Sequence, residues 1–306
     1  MAEIKKNILS TLAYFDVFNY PLTREEICLF LPVKYESVPF DVAMACLIGS
    51  RLIYRFDKFY TLKNDPYLIL RRNEGNQKAA EMVKTARKVG DILIKFPYVR
   101  GIAISGSLSK NYADDESDID LFIITAPNRL WIARTLMHFF KKLTFLVNKE
   151  HYFCMNYYID EQSLEIEEKN IYTATEVVTL IPIQGDITFA DFFTANAWTR
   201  GFLPNHIMRV STAKSLPKII LKGMIEWLLN NFLGDILDNR LMKITAKRWD
   251  KKTHEKRLNN HGILLAMATG KHYAKPDPEN FQFKLISRYE AKVAQLLVEN
   301  HHSVAN

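Results

Sequence analysis

The sequence predicts an α/β protein in three consecutive parts: residues 1–70, a small mixed-sheet domain over 71–190, and a helical C-terminal domain over 191–306. Three observations predict it. Residues 99–124 read as strand, sharp small-residue turn, short helix and second strand. Residues 3–62 carry three helical patterns followed by two short alternating runs around a tight turn. Beyond residue 190, Ile220, Met224, Trp227, Leu228 and Leu233 recur at helical spacing behind Pro217.

Within the first part, Ile4, Ile8, Leu9, Leu12 and Phe15 form the apolar stripe of an amphipathic helix over 3–15. Thr23 with Glu26 three residues on is a capping box, opening a second helix that ends before Pro32. A third helix is expected over Phe40–Gly49. The runs Leu52–Phe56 and Phe59–Leu62, joined by Asp57-Lys58, make a β-hairpin. Three helices and a hairpin resemble a winged helix. Its third helix, Asp41–Ile48, is almost devoid of Arg and Lys, whereas a reader of bases and phosphates displays several. Specific DNA binding is therefore not expected, and a packing role is. Arg71 and Arg72 read as surface charge ahead of an amphipathic helix over Asn73–Phe96.

That helix delivers the chain to the strand Val99–Ile104. Ser105-Gly106-Ser107 is the turn, and a second strand runs from Asp118 to Ile124. Alternation puts Asp118 and Asp120 on one face of that strand and Ile119 and Leu121 on the other. Two adjacent carboxylates repel each other and are tolerated when a divalent cation sits between them; carboxylate oxygens are what Mg²⁺ takes. Gly106 lacks a Cβ, so an anion can approach its backbone, and the following helix begins with N–H groups aimed at it.

Gly-Ser, a spacer over 108–117 and Asp-Ile-Asp flanked by apolar residues resemble the nucleotidyltransferase superfamily that includes DNA polymerase β and the aminoglycoside nucleotidyltransferases. The likeness is sharp over 99–125 and looser to about residue 190. It implies that Gly106 and Ser107, with Ser109 or Lys110, hold the β- and γ-phosphates of a nucleoside triphosphate. Asp118 and Asp120 then hold one or two Mg²⁺ (or Mn²⁺) ions, an acceptor hydroxyl attacks the α-phosphorus in line, and pyrophosphate leaves. A small-molecule acceptor is favoured; an RNA end or a protein hydroxyl also fits. The alternative is a catalytically degenerate member acting as a regulatory or nucleic-acid- or protein-binding module.

Many members carry a third acid on a neighbouring strand. Here His151–Asp160 reads as that strand, and its middle holds Asn156, whose amide cannot take a proton. Asp160, four residues on and expected on the same face, is the candidate for the third catalytic carboxylate, with Glu165 and Glu176 as rivals. Before this strand, Leu130, Ala133, Met137, Phe140 and Leu143 line a helix near whose start Arg129 and Arg134 read as surface residues, the alternative being that one of them reaches phosphate. A helix and a short strand over 173–185 complete the domain. In the last part, Lys243, Lys247, Arg248, Lys251, Lys252, Lys256 and Arg257 read as a solvated helix face. Lys271–Lys275 reads as a loop from which His272 and Lys275 reach triphosphate or acceptor.

Composition narrows the class. The chain has 306 residues, 48% hydrophobic and 25% charged, which suits a folded protein with sizeable cores. A net charge of +7 and pI near 9.1 suit a phosphate-bearing partner without demanding one. Cys28, Cys46 and Cys154 form neither a zinc pattern nor a disulfide framework. No signal peptide is read, and charged residues interrupt both of the most apolar stretches, so a cytoplasmic protein without membrane contact is expected.

Overall fold

The computed structural model describes residues 1–144, 154–206, 212–254, 266–277 and 280–304. It is a mixed α/β fold with two sheets. The first 61 residues give α1 (Ala2–Asp16), β1 (Leu22–Thr23), α2 (Arg24–Phe30), α3 (Ser37–Gly49), β2 (Tyr54–Phe56) and β3 (Phe59–Thr61). The three strands pair antiparallel in the order β1-β3-β2. The capping box forms as expected: Glu26 N donates to Thr23 Oγ1 at 3.2 Å, and Thr23 N donates to Glu26 Oε2 at 2.8 Å. α3 starts three residues before Phe40, because a proline in the first turn, here Pro39, needs no intrahelical donor. Ile8, Leu12, Phe15, Ile27, Phe40 and Leu47 close this core.

α4 (Tyr67–Leu93) also begins early, and this places both Arg71 and Arg72 inside it. Arg72 is buried, not on the surface. It donates to the Pro21 carbonyl, pairs with Glu26 at 2.7 Å, and stacks 4.0 Å from the Tyr20 ring centre. A buried guanidinium without partners would be costly; here the residues around Pro21 supply them.

The second sheet has six strands in the order β7-β4-β5-β6-β9-β8. They are β4 (Val99–Ile104), β5 (Asp120–Thr125), β6 (Cys154–Asp160), β7 (Ile181–Gln184), β8 (Ala266–Thr269) and β9 (Tyr273–Asp277). Only β5 and β6 pair parallel; every other neighbour pair is antiparallel. Between them run α5 (Gly106–Ser109), α6 (Leu130–Thr144), α7 (Ile171–Thr179), α8 (Asp186–Ala195), α9 (Ile220–Leu229) and α10 (Phe232–His254); α11 (Phe281–Val304) follows.

Alternation divides the sheet cleanly. Ile102, Ile104, Leu121 and Ile123 pack with Leu93 of α4 and with Trp131 and Met137 of α6. Ala103, Phe122, Ile124 and Ile159 pack on the opposite face with Val177 of α7 and Phe189 and Phe192 of α8. Asp120 has the parity of Phe122, so its carboxylate opens toward α7.

The C-terminal part is not wholly helical. β8 and β9 extend the central sheet beyond residue 190, and Lys271–Lys275 is the hairpin turn and start of β9 rather than a free loop. Pro276 obscures the strand in the sequence. It is tolerated because β9 bonds to β6 only through Tyr273 and Ala274, leaving Pro276 beyond that ladder. α11 returns to α1, where Tyr289 meets Tyr14 with ring centres 5.7 Å apart and Lys292 pairs with Asp16 at 2.8 Å. Arg129 and Arg134 are buried, Arg129 paired with Asp235 at 2.6 Å and Arg134 over the Trp249 ring at 4.9 Å. Lys256 and Arg257 lie outside the described residues. Among the described residues no helix is long and apolar enough to cross a membrane.

Candidate functional site

The β4–α5 turn is folded tightly over the start of β5. Ser105 N donates to the Asp120 carbonyl at 2.9 Å, and Gly106 takes φ +65°. A Cβ at Gly106 would run into the Asp120 carboxylate. Glycine is required here twice over, for the left-handed backbone and for the space. The turn therefore brings Gly106, Ser107, Asp118 and Asp120 to one place, the floor of a cavity of about 670 Å³.

Asp120 is the strained member. Burial pushes its carboxyl up to about 6, with Asp118 and then Glu176 adding like-charge repulsion. Asn156 Nδ2 donates to Asp120 Oδ1. The neighbouring Cys154 thiol is pushed up to about 12, first by burial and then by the Asp120 charge, so it is no nucleophile. The site's polarity thus favours arrival of positive charge.

The remaining expected phosphate ligands separate. Ser109 is buried and turned inward, its Oγ donating to the Gly106 carbonyl at 2.8 Å; it braces the turn and does not face the cavity. Lys110 does reach the cavity, donating to the Gly106 carbonyl at 3.0 Å and pairing with Glu176 at 2.7 Å.

Asp160 is not brought to this site. β5 and β6 pair Asp120 with Cys154 at one end and Thr125 with Asp160 at the other. Five rungs of strand separate the two acids, on the order of 17 Å. The register also shifts between Met155 and Tyr157, so Asn156 is the extra residue of a bulge. The bulge breaks the alternation on which Asn156 and Asp160 were expected to share a face. Fully buried Asp160 accepts from Asn128 N at 2.9 Å and Gln162 N at 3.0 Å and contacts His272 Nδ1 at 2.9 Å. His272 is therefore a partner of Asp160 and lies away from the phosphate turn. Lys275, expected with it, lines the cavity and pairs with Glu168 at 2.7 Å.

Of the two rival acids, Glu165 lies outside the cavity and pairs with Lys169 at 2.6 Å, while Glu176 lines the cavity wall. Tyr172 and Glu176 on α7 and Leu180 just past its end recur at four-residue spacing, so the cavity runs along that helix. Its outer wall holds residues that sequence reasoning missed. Phe18 and Tyr20 come from the N-terminal region, and Phe281 of α11 meets both Phe18 and Tyr172, at 6.2 and 6.1 Å between ring centres. Tyr20 also donates its hydroxyl to the Lys110 carbonyl at 2.7 Å. No local pattern announces such a wall; three distant segments make it.

Among the described residues no set of three His, Cys, Asp or Glu side chains converges as a metal site. A cation at Asp118 and Asp120 would have two protein carboxylates and draw its other oxygens from substrate or water, the coordination habit of Mg²⁺. The hard oxygen donors and the raised Asp120 fit that ion. Compared with family models, curated proteins and solved structures, the chain matches none.

Proposed function

We propose that this chain is a Mg²⁺-dependent nucleotidyltransferase that moves a nucleoside monophosphate from a triphosphate to the hydroxyl of a small molecule, breaking the bond between the α-phosphorus and the bridging oxygen and releasing pyrophosphate. The observation that carries the reading is the Gly106 turn closed over Asp120, beside Asp118, at the floor of a 670 Å³ cavity. The Gly106 and Ser107 backbone is the part of the floor that a β- or γ-phosphate can approach. Asp118 and Asp120 would hold the cation, which supplies charge neutralisation at the triphosphate when bound. Lys110 adds a positive side chain on the same wall, and Ser109 keeps the turn in shape from beneath.

The third acid in this reading is Glu176. It is the rival that lines the cavity, and one of its carboxylate oxygens takes the proton of the acceptor hydroxyl. Size favours a small acceptor: the volume is in the range of ~300–1,000 Å³ typical of small-ligand pockets. The N-terminal winged-helix-like region then serves as a wall of the acceptor site. Arg24, which reaches its third helix, is occupied there by Asp41 at 2.7 Å, which suits packing better than DNA reading.

Calorimetry of triphosphate binding with Mg²⁺ and with EDTA tests the proposal. Binding should require the cation, since otherwise Asp118 and Asp120 repel the phosphates. Equal affinity in both conditions refutes the two-aspartate site. Labelled nucleotide transferred to a small product of a cell extract, and lost in Glu176→Gln, would identify the reaction and its base.

A further inference from the structure

α9 is mounted with its polar side inward. Its two charged residues, Lys222 and Glu226, stand one turn apart and both face the protein. Buried Lys222 donates from Nζ to the carbonyls of Ile94 at 2.9 Å and Val99 at 2.7 Å. Glu226 accepts from Tyr98 N at 2.6 Å and takes both Nη atoms of Arg100, at 2.9 and 2.7 Å. Tyr98 adopts φ +66° at this contact, a conformation uncommon for a bulky side chain. The helix is thus held firmly in an orientation that sends its apolar residues outward.

Ile220, Leu221, Met224, Trp227 and Leu228 form that outward face, with Ile220 84% and Trp227 82% exposed. Phe232 and Leu233, which follow at the start of α10, are likewise exposed. Aromatic side chains carry roughly 150–250 Å² each and the aliphatic ones less, so these seven, mostly exposed, present on the order of 1,000 Å². A monomer's largest apolar patch is typically about 300–600 Å², whereas one partner in a stable interface gives about 800 Å². The face has the area of a lasting interface.

We propose that this face joins two copies of the chain, α9 packing antiparallel on the partner's α9 about a twofold axis. Charge argues against a lipid surface as the occupant. Interfacial helices carry Lys and Arg to meet anionic headgroups, but α9 sends its only lysine inward. The exposed charges that flank the face in the chain, Lys218, Asp235 and Arg240, are of both signs, and the basic run of α10 begins only at Lys243, more than two turns into that helix. Shape argues for self-pairing. Gly223 is exposed on the helix, and a Cβ there would meet no described residue within 4 Å, so the helix presents bare backbone one turn from Trp227. A twofold axis at residue 225 sets each Trp227 against the other protomer's Gly223, and both contacts form at once, as an isologous interface requires.

Sedimentation velocity of the full chain across the micromolar range tests this, with Trp227→Glu and Gly223→Leu as variants. The wild type should sediment as a dimer. Each variant should weaken the dimer about a hundredfold, since a buried aromatic at the centre of an interface dominates its affinity. Gly223→Leu should leave the melting temperature of the monomer unchanged or higher, because leucine is the better helix former in open space. That variant keeps the test decisive even if Trp227→Glu misfolds. A wild type that stays monomeric, or a dimer indifferent to Gly223→Leu, overturns the proposal. So does a monomer that cosediments with phosphatidylserine vesicles and is released by Trp227→Glu, which would assign the face to lipid.

Discussion

Replacing Asp120 by Asn keeps its shape and removes its charge, so the variant isolates what the metal-free protein bears at this site. The Asp120 carboxyl is raised from 3.8 to about 6 by burial first and by Asp118 second. The sign follows from linkage. Between the unfolded and folded values the unfolded chain has lost the proton that the folded protein keeps. Stability from this group is present at acid pH, falls as pH rises from about 4, and is gone above about 6. At ~1.4 kcal/mol per pH unit, the ionised carboxylate costs the fold about 2–3 kcal/mol at pH 7. Asp120→Asn should therefore be more stable than wild type by about that amount at pH 7 in EDTA, and the advantage should vanish near pH 4. Urea denaturation of both proteins across this range measures it. Asp238, also raised to about 6 chiefly by burial, titrates in the same window but in both proteins, so it cancels in the difference. A variant less stable than wild type at pH 7, or a difference that does not change with pH, would refute the account of Asp120 as a strained, cation-seeking carboxylate.

The same proton must leave when a cation arrives, so Mg²⁺-dependent triphosphate affinity should fall about tenfold per pH unit below 6, read by calorimetry. Gly106→Ala should cost about 1–3 kcal/mol in a melting experiment, from its positive φ, and should abolish nucleotide binding by pushing against the Asp120 carboxylate. Ile119→Ala, at a fully buried side chain one residue away, should cost about 2–5 kcal/mol while nucleotide affinity per folded molecule is kept. Fluorescence anisotropy with duplex DNA should show at most weak binding that collapses with added salt; nanomolar, sequence-selective binding at physiological salt would overturn the packing role of the N-terminal region.

What the sequence discloses here is what alternation and caps control locally. The strand–turn–helix–strand of 99–124, the Thr23–Glu26 cap and the burial of Ile119 each depend on neighbours a few residues away, and each is legible, although the second strand begins at Asp120 and leaves Asp118 ahead of it. Arg72 misleads because its partners, Pro21 and Glu26, lie some fifty residues earlier and nothing in Arg71-Arg72 distinguishes the buried member. β9 reads as a loop because its Pro276 is a strand breaker unless the neighbouring ladder happens to stop before it. The third acid fails for a sharper reason: period-two reasoning along β6 holds only without a bulge, and the bulge sits on Asn156 itself.

That bulge also explains why one pair of strands carries two acids with opposite fates. At the C-terminal end of β6, Asp160 is fully buried yet meets two backbone N–H groups and the His272 ring. Its partners come from the start of α6, from the residues after β6 and from the β8–β9 turn, so it fastens the late hairpin to the sheet. A carboxyl group so fully met has little left to offer a ligand. At the N-terminal end of β5, Asp120 meets a second carboxylate, a glycine turn with no room for a side chain, and an amide set against it by the bulge. Its charge is raised in energy and faces the cavity. Function on this strand pair belongs to the end where the charge is raised in energy. Hence Asp160→Asn should destabilise the fold through the lost His272 contact and leave any cation-dependent binding by the folded protein intact, whereas Asp120→Asn should do the reverse. Measuring melting temperature and nucleotide affinity for the two variants side by side decides it, and loss of binding in a well-folded Asp160→Asn would overturn the division.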